Sequence, residues 1–268
     1  MTGYDNNRGA QAIPGRRLKI LFSVIAPEEV PDIIPASDVI DLKDPSKGPL
    51  GAPDTALVKL TKETLISSGH GHKTISASLG DALTRHGDYH KLGRQMAEAG
   101  ADIVKIALSA LAPEDALFAL TLLRQSLPRR TALVAAVYAD ARMPGAVTPE
   151  LLPGIAQSAL AQGILLDTMV KDGRTIFDHI PAPLLASISR DAKNRGLFVA
   201  LAGSLGIGDV EQAISAGADY VGFRSAIVKN GGRGSVGVDG AKAMSIRRKL
   251  VEFSAPPKDH AGVTALSL

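Results

Sequence analysis

The sequence predicts a single (β/α)8 barrel, in which eight parallel strands close into a sheet surrounded by helices. Eight short apolar segments alternate with helical segments at a spacing of roughly 20–35 residues, the order typical of this fold. The tetrapeptide Ala-Gly-Ala-Asp occurs at residues 99–102 and again at 216–219, about four units of roughly 29 residues apart. An open doubly wound sheet has the same alternation. Because no Gly-x-Gly-x-x-Gly follows the first strand, we favour the barrel.

The strands are predicted from runs of β-branched and aliphatic residues that end at turn or charged residues. Their expected positions are 18–25, 38–42, 73–79, 102–108, 132–138, 164–167, 197–202 and 219–223. No shift in composition marks a domain boundary, so residues 18–253 are expected to form one domain. Residues 1–17 lack the apolar segment of a signal peptide and are expected to be a disordered tail, with a second tail at 254–268.

Start and stop residues support the helices between these strands. Asp54 is placed to cap the helix that follows strand two, and Pro113 stands in the first turn of the helix that follows strand four. Gly100 and Gly217 end two further helices. Helical spacing of apolar residues predicts helices within 54–65, 88–99, 113–127, 152–160, 184–196, 209–216 and 240–253.

Composition excludes several functional classes. Lysine plus arginine (30) barely exceeds aspartate plus glutamate (27), and no long basic run occurs, so nucleic acid is not expected as a partner. The chain has no cysteine, which excludes disulfides and thiolate sites and fits a reducing cytoplasm. No apolar run reaches the roughly 18 residues of a membrane span. The pairs His70/His72 and His86/His90 lack nearby acidic ligands, so no metal is expected. No cofactor is expected either. The sequence leaves open whether the chain forms a homo-oligomer.

Acidic and basic side chains stand where several predicted strands end. Asp41 and Lys43 lie two residues apart at the end of strand two, so both should face the same side of the sheet. Lys105 lies in strand four, three residues after Asp102, Asp167 ends strand six, and Lys171 follows in the next loop. We expect Asp41, Lys105 and Asp167 to share one layer at the carboxyl-terminal mouth, with Lys43 one layer above. Charges inside a barrel are costly unless paired or used, so the set predicts an active site.

Clustered lysines indicate a particular chemistry. Neighbouring ammonium groups disfavour one another's protonation, and a neutral amine can attack a carbonyl to form a Schiff base. A nearby carboxylate or a second amine can then move protons. An exposed Asp41–Lys43 ion pair and a solvated Lys171 are the structural alternatives.

Glycine-rich turns follow strands seven and eight, the loops in which such barrels hold a phosphate. Gly203 and Ser204 lead toward the helix predicted at 209–216, and Gly222 precedes Arg224. We expect these four residues to bind a substrate phosphate, with Arg224 adding a charge-assisted contact. Asp81, Tyr138 and Asp140 should lie at the same mouth, and the sequence assigns them no role.

Six segments together resemble one enzyme family. They are D-V-I-D-L-K-D-P-S-K-G-P-L-G-A (38–52), A-D-I-V-K-I-A-L (101–108), V-Y-A-D (137–140), L-L-D-T-M-V-K-D-G (165–173), A-G-S-L (202–205) and A-D-Y-V-G-F-R (218–224). The likeness is to the (5-formylfuran-3-yl)methyl phosphate synthase family and runs from about residue 18 to about residue 251.

The resemblance implies a barrel enzyme, a carbon–oxygen lyase acting on phosphates. It would condense two glyceraldehyde 3-phosphate molecules into 4-(hydroxymethyl)-2-furancarboxaldehyde phosphate, releasing phosphate and water, for methanofuran-type one-carbon carriers. By position, it implies that Lys43 forms the Schiff base, that Lys105 transfers protons and that Asp41, Asp167 and Lys171 assist. The sequence departs from the archaeal pattern at Asp44, where asparagine is usual, and at residues 47–49.

Two other functions fit the same residues. A Schiff-base aldolase acting on other phosphorylated carbonyl compounds would share every lysine and both phosphate loops. A non-catalytic barrel that binds a sugar phosphate would need the loops after strands seven and eight, but not the charged cluster.

Overall fold

The computed structural model describes residues 18–141, 143–229 and 235–254 of the 268-residue chain. The expected tail at 1–17, the glycine-rich stretch 231–234 and the expected C-terminal tail beyond Ser254 lie outside these residues. None of the helices within the described ranges is long and apolar enough to cross a membrane.

Eight parallel strands pair in chain order and close into a barrel, which confirms the predicted fold. The strands are β1 (Lys19–Val24), β2 (Val39–Leu42), β3 (Thr74–Asp81), β4 (Ile103–Ala107), β5 (Ala132–Tyr138), β6 (Gly163–Asp167), β7 (Phe198–Leu201) and β8 (Tyr220–Phe223). The helices are α1 (Val30–Ile33), α2 (Thr55–Ser67), α3 (Tyr89–Ala99), α4 (Pro113–Ser126), α5 (Leu152–Ser158), α6 (Ala182–Asn194), α7 (Val210–Ser215) and α8 (Gly240–Ser254).

The main core lies between the strands and the helices. Alternate strand residues such as Phe22, Ile40 and Val104 are fully buried in it, as the period-2 rule requires of outward-facing positions. A smaller cluster inside the barrel includes Tyr138 and Leu50, the latter reaching in from the loop after β2. Charged residues occupy other inward-facing positions.

Most boundaries agree with the sequence-based prediction to within about two residues, and the larger differences are three. One turn of helix, α1, follows β1 where no helix was predicted, and it tolerates Pro31 because that residue occupies a first-turn position that needs no N–H donor. Strand β3 continues to Asp81 through an irregular pairing with β4. Helix α5 stops early, and Leu160, which was expected to be helical, takes a left-handed φ of 57°.

Four side chains at the start of alternate strands tie the bottom of the barrel together. Asp38 accepts the N–H of Ile20 at 2.8 Å, and Asp102 accepts the N–H of Ile75 at 2.9 Å. Asp219 and Gln162 accept the N–H groups of Val199 and Leu133 in the same way. These bonds give the three aspartates, which lie away from the mouth, a structural role, and Gln162 takes the fourth equivalent position.

Because these four positions are equivalent, they define the layers above them. The residues three positions further along each strand are Asp41, Lys105, Leu165 and Gly222, and those five positions further are Lys43, Ala107, Asp167 and Arg224. Asp167 therefore lies in the layer of Lys43. The expectation that Asp167 shares the layer of Asp41 and Lys105 was wrong. The position equivalent to Asp38 and Asp102 is Gln162, which is five residues before Asp167 rather than three.

Candidate active site

A pocket opens at the carboxyl-terminal mouth of the barrel, on the side formed by β1, β2 and β6 to β8. On the opposite side, Leu50 from the loop after β2 fills the mouth between β3 and β5. The pocket brings together every residue that the sequence indicated for catalysis or phosphate binding: Asp41, Lys43, Lys105, Asp167, Lys171, Gly203, Ser204, Gly222 and Arg224.

The lower charged layer contains a buried ion pair. Lys105 Nζ donates to Asp41 Oδ1, and the side chains are 5% and 0% exposed. The other carboxylate oxygen, Oδ2, accepts from the Ser23 hydroxyl at 2.8 Å. A buried pair is tolerated only when additional hydrogen bonds satisfy its remaining polar atoms, and Ser23 supplies one of these bonds. Sequence reasoning missed Ser23, because a serine within an apolar strand carries no distinctive signal.

The upper layer contains a second pair, built from β6 and its loop. Lys171 Nζ donates to Asp167 Oδ1 at 2.9 Å, to Thr168 Oγ1 at 2.9 Å and to the Thr168 carbonyl oxygen. These three acceptors match the three N–H donors of an ammonium group. Asp167 Oδ1 also accepts the Thr168 N–H at 2.7 Å. The loop therefore holds Lys171 as a fixed cation at the rim of the pocket.

Lys43 follows the last residue of β2 and is 5% exposed, on the same side of the sheet as Asp41. The loop after it is closed by an Asp44 N–H donation to the Gly51 carbonyl oxygen at 2.9 Å. The Asp44 carboxylate accepts from the Ser46 side chain and lies 3.0 Å from Lys47 Nζ, and these contacts lower the pKa of Asp44. The departures from the archaeal pattern at 44 and 47 thus pair with each other within the loop.

Backbone conformation shapes the loop after β7. Gly203 has a φ of +103°, and a side chain there would place Cβ 2.9 Å from Thr168 Cγ2. Ser204 also has a left-handed φ, of 56°. Among the described residues, no acceptor receives the N–H of Gly203 or Ser204. Consecutive N–H groups in such a turn are suited to binding an anion.

Arg224 lines the pocket, but its guanidinium group is used elsewhere. Its two terminal nitrogens form a bidentate pair with Glu29, at 2.7 and 3.0 Å, and also donate to the carbonyl oxygens of Ser23 and Ser235. These bonds turn the guanidinium group toward Glu29, so they do not support the phosphate contact expected of this side chain. Sequence reasoning did not find Glu29, because its partner Arg224 is 195 residues away in the chain.

Tyr138, Asp81 and Asp140 are three further residues at the mouth whose side chains form hydrogen bonds. The Tyr138 hydroxyl donates to Asp81 Oδ1 at 2.6 Å, and burial, reinforced by that carboxylate, raises the pKa of the phenol far above its usual value. Asp140 accepts the N–H groups of Met169 and Val170 at 2.6 and 2.8 Å. Asp140 therefore fixes the loop that carries Lys171, a role that the sequence did not show.

Within the part of the chain that the structure describes, no three histidine or acidic side chains converge in a way that could hold a metal ion. His70 and His72, in the loop after α2, lie on the protein surface with ring centroids 6.2 Å apart.

Fold and site together define a class: a (β/α)8 barrel with lysine–carboxylate pairs in two layers at its carboxyl-terminal mouth. Two solved structures are similar to this chain in fold. A 3-hexulose-6-phosphate synthase superposes with a TM-score of 0.58 at 16% identity, covering 87% of this chain and 99% of that chain. An aldolase, QR15, gives 0.59 at 15% identity, covering 90% of this chain and 97% of that chain.

The chain belongs to the 4-HFC-P synthase family, which matches residues 20–247. The (5-formylfuran-3-yl)methyl phosphate synthase of Methanococcus maripaludis is 32% identical over 221 residues, covering 80% of this chain and 92% of that protein. The enzyme of the same name from Methanocaldococcus jannaschii is 33% identical over 227 residues, covering 82% and 94%.

Proposed function

We propose that this protein is a (5-formylfuran-3-yl)methyl phosphate synthase. It condenses two molecules of glyceraldehyde 3-phosphate into 4-(hydroxymethyl)-2-furancarboxaldehyde phosphate, with release of phosphate and water, as an early step toward a methanofuran-type carrier. The observation that carries the proposal is the stacking of two lysine–carboxylate pairs and Lys43 in one pocket, in a chain of this family. The reaction takes place in the cytoplasm and needs no cofactor.

Lys43 forms the Schiff base in this proposal. Imine formation needs a neutral amine, and Lys171 is disfavoured because three acceptors hold it as an ammonium ion. Lys105 lies one layer deeper against Asp41, where it is placed to accept and return protons. Arginine could not replace Lys43, because a guanidinium group stays protonated.

The loop after β7 and the start of the loop after β8 bind the phosphate of one triose. Support comes from the Gly203 and Ser204 N–H groups, which line the pocket without a described acceptor. A side chain at Gly222 would be tight against the wall of the pocket, because its Cβ would lie 3.3 Å from Ala202 Cβ. The Lys171 ammonium at the rim adds positive charge for the dianion. The Arg224 side chain is not part of this site.

The test is product analysis with labelled glyceraldehyde 3-phosphate, followed by borohydride trapping and peptide mapping. The wild-type protein should form the furan phosphate, and the trapped adduct should map to Lys43. Lys43→Ala should abolish both. Lys47→Ala is the matched control, because Lys47 lies in the same loop, exposed and paired with Asp44. It should keep full activity.

Lys105→Met separates the two lysine roles. Methionine has a similar length but takes no proton, so furan formation should stop while some adduct still forms at Lys43. Near-normal product from Lys105→Met would make Lys105 a counter-ion to Asp41 only. Aldol products without furan would favour an aldolase, and tight phosphate binding without any product would favour a non-catalytic barrel.

A further inference from the structure

The end of β1 supplies a hydrogen bond that the reaction scheme above does not use. Ser23 pairs with Asp41 in the register of β1 and β2 and is 3% exposed. Its hydroxyl donates to Asp41 Oδ2, while Lys105 donates to Oδ1. Each oxygen of this buried carboxylate therefore has its own donor, on opposite sides of the group.

The backbone of Ser23 is held by a second buried ion pair. Its carbonyl oxygen accepts from Arg224 Nη1 at 3.2 Å, and Arg224 is paired with the buried Glu29. Glu29 also accepts the N–H of Ile25 at 2.8 Å and that of Gly237 at 2.7 Å. The Ser23 hydroxyl is thus presented to Asp41 from a strand end that a buried ion pair anchors.

We propose that Ser23 is a positioning residue, whose hydroxyl fixes the orientation in which the Asp41 carboxylate receives Lys105. The role of Lys105 in moving protons rests on the proposed function. Without the hydroxyl, Asp41 keeps only the lysine bond, so the carboxylate and the ammonium group rotate and shift together. Lys105 then spends less time in the geometry that proton transfer requires.

In the part of the chain that the structure describes, five other charged groups lie around the Asp41–Lys105 pair. They are Lys43 after β2, Asp167 and Lys171 from β6 and its loop, and the Arg224–Glu29 pair at the end of β8. None of them donates to Asp41 Oδ2 among the hydrogen bonds within the described ranges, so no second donor there duplicates the Ser23 bond.

Ser23→Ala tests the proposal, and Ser76→Ala is its matched control. Ser76 flanks Asp41 from the other side, in the register of β2 and β3, and is equally buried. Its hydroxyl has no partner among the described residues. Ser23→Ala should lower kcat about 10- to 100-fold with a change in KM below about threefold, because a charge-assisted hydrogen bond is lost. Ser76→Ala should stay near wild type, and Ser23→Thr should recover most of kcat.

Crystal structures of both alanine variants provide a readout independent of activity. The Asp41 carboxylate should rotate in Ser23→Ala and stay in place in Ser76→Ala. An unrotated carboxylate with wild-type kcat in Ser23→Ala would overturn the proposal. So would a raised KM with unchanged kcat, which would make Ser23 a substrate contact. If the wild-type protein forms no furan, the proposed function fails, and the Asp41 orientation in Ser23→Ala still decides the positioning role.

Discussion

Replacing Arg224 with methionine should destabilise the fold rather than weaken phosphate binding. The guanidinium group is 2% exposed and the Glu29 carboxylate 1% exposed, so the substitution leaves a buried negative charge without its counter-ion. Two backbone donors remain on Glu29, from Ile25 and Gly237, and they compensate only part of the loss.

The magnitude follows from burial. Breaking a fully buried ion pair by removing one partner costs about 3–5 kcal/mol, against about 0.2–1 kcal/mol for an exposed pair. Arg195→Met is the matched control, because Arg195 pairs with Asp191 at 2.9 Å while the two side chains are 37% and 44% exposed. At roughly 2–4 °C per kcal/mol for a domain of this size, Arg224→Met should lower Tm by about 6–20 °C. Arg195→Met should lower Tm by no more than a few degrees.

Urea unfolding of both variants, followed by circular dichroism, measures the difference directly. The double variant Glu29→Gln/Arg224→Met should be more stable than Arg224→Met, because it removes the unpaired charge. Inhibition by inorganic phosphate should be nearly unchanged in the folded fraction of Arg224→Met. A variant with wild-type stability and strongly weakened phosphate inhibition would refute this reasoning and restore Arg224 as an anion contact.

Two further substitutions test the mouth of the barrel. Because the pKa of Tyr138 is raised, the folded protein keeps a proton that the unfolded chain loses above about pH 10. The free energy of unfolding of the wild-type protein should therefore fall above that pH, by up to about 1.4 kcal/mol per pH unit from this group. Tyr138→Phe should remove that part of the alkaline loss in urea titrations between about pH 9 and 11, and an identical pH dependence would contradict it. Gly203→Ala should weaken inhibition by inorganic phosphate at least about 10-fold, since the new Cβ would displace Thr168. Gly196→Ala is its control, with a φ of +78° but open space around the Cβ, and equal inhibition in both variants would exclude the Gly203 loop as the anion site.

The sequence by itself determined the eight strands, the helices α2 to α8 and the side of the sheet on which the charged residues lie. Strand periodicity is local, so Asp41 and Lys43 were predicted to face inward together from two positions in one strand. The Ala-Gly-Ala-Asp sequence that ends at Asp102 is repeated at Asp219, so it showed the barrel's internal period. Each of these inferences needed only neighbouring residues or a repeat within the chain.

Only the tertiary structure decided which charged groups meet. Closing the sheet brings β8 against β1 and pairs Arg224 with Glu29, and the register of β1 with β2 places Ser23 beside Asp41. Gln162, just before β6, takes the position equivalent to Asp38 and Asp102, so Asp167 lies in the layer of Lys43. An arginine after a glycine turn has the same local sequence whether it contacts a phosphate or a carboxylate. The choice depends on which acceptor the closed barrel puts within hydrogen-bond distance, and that is a property of strand register and burial.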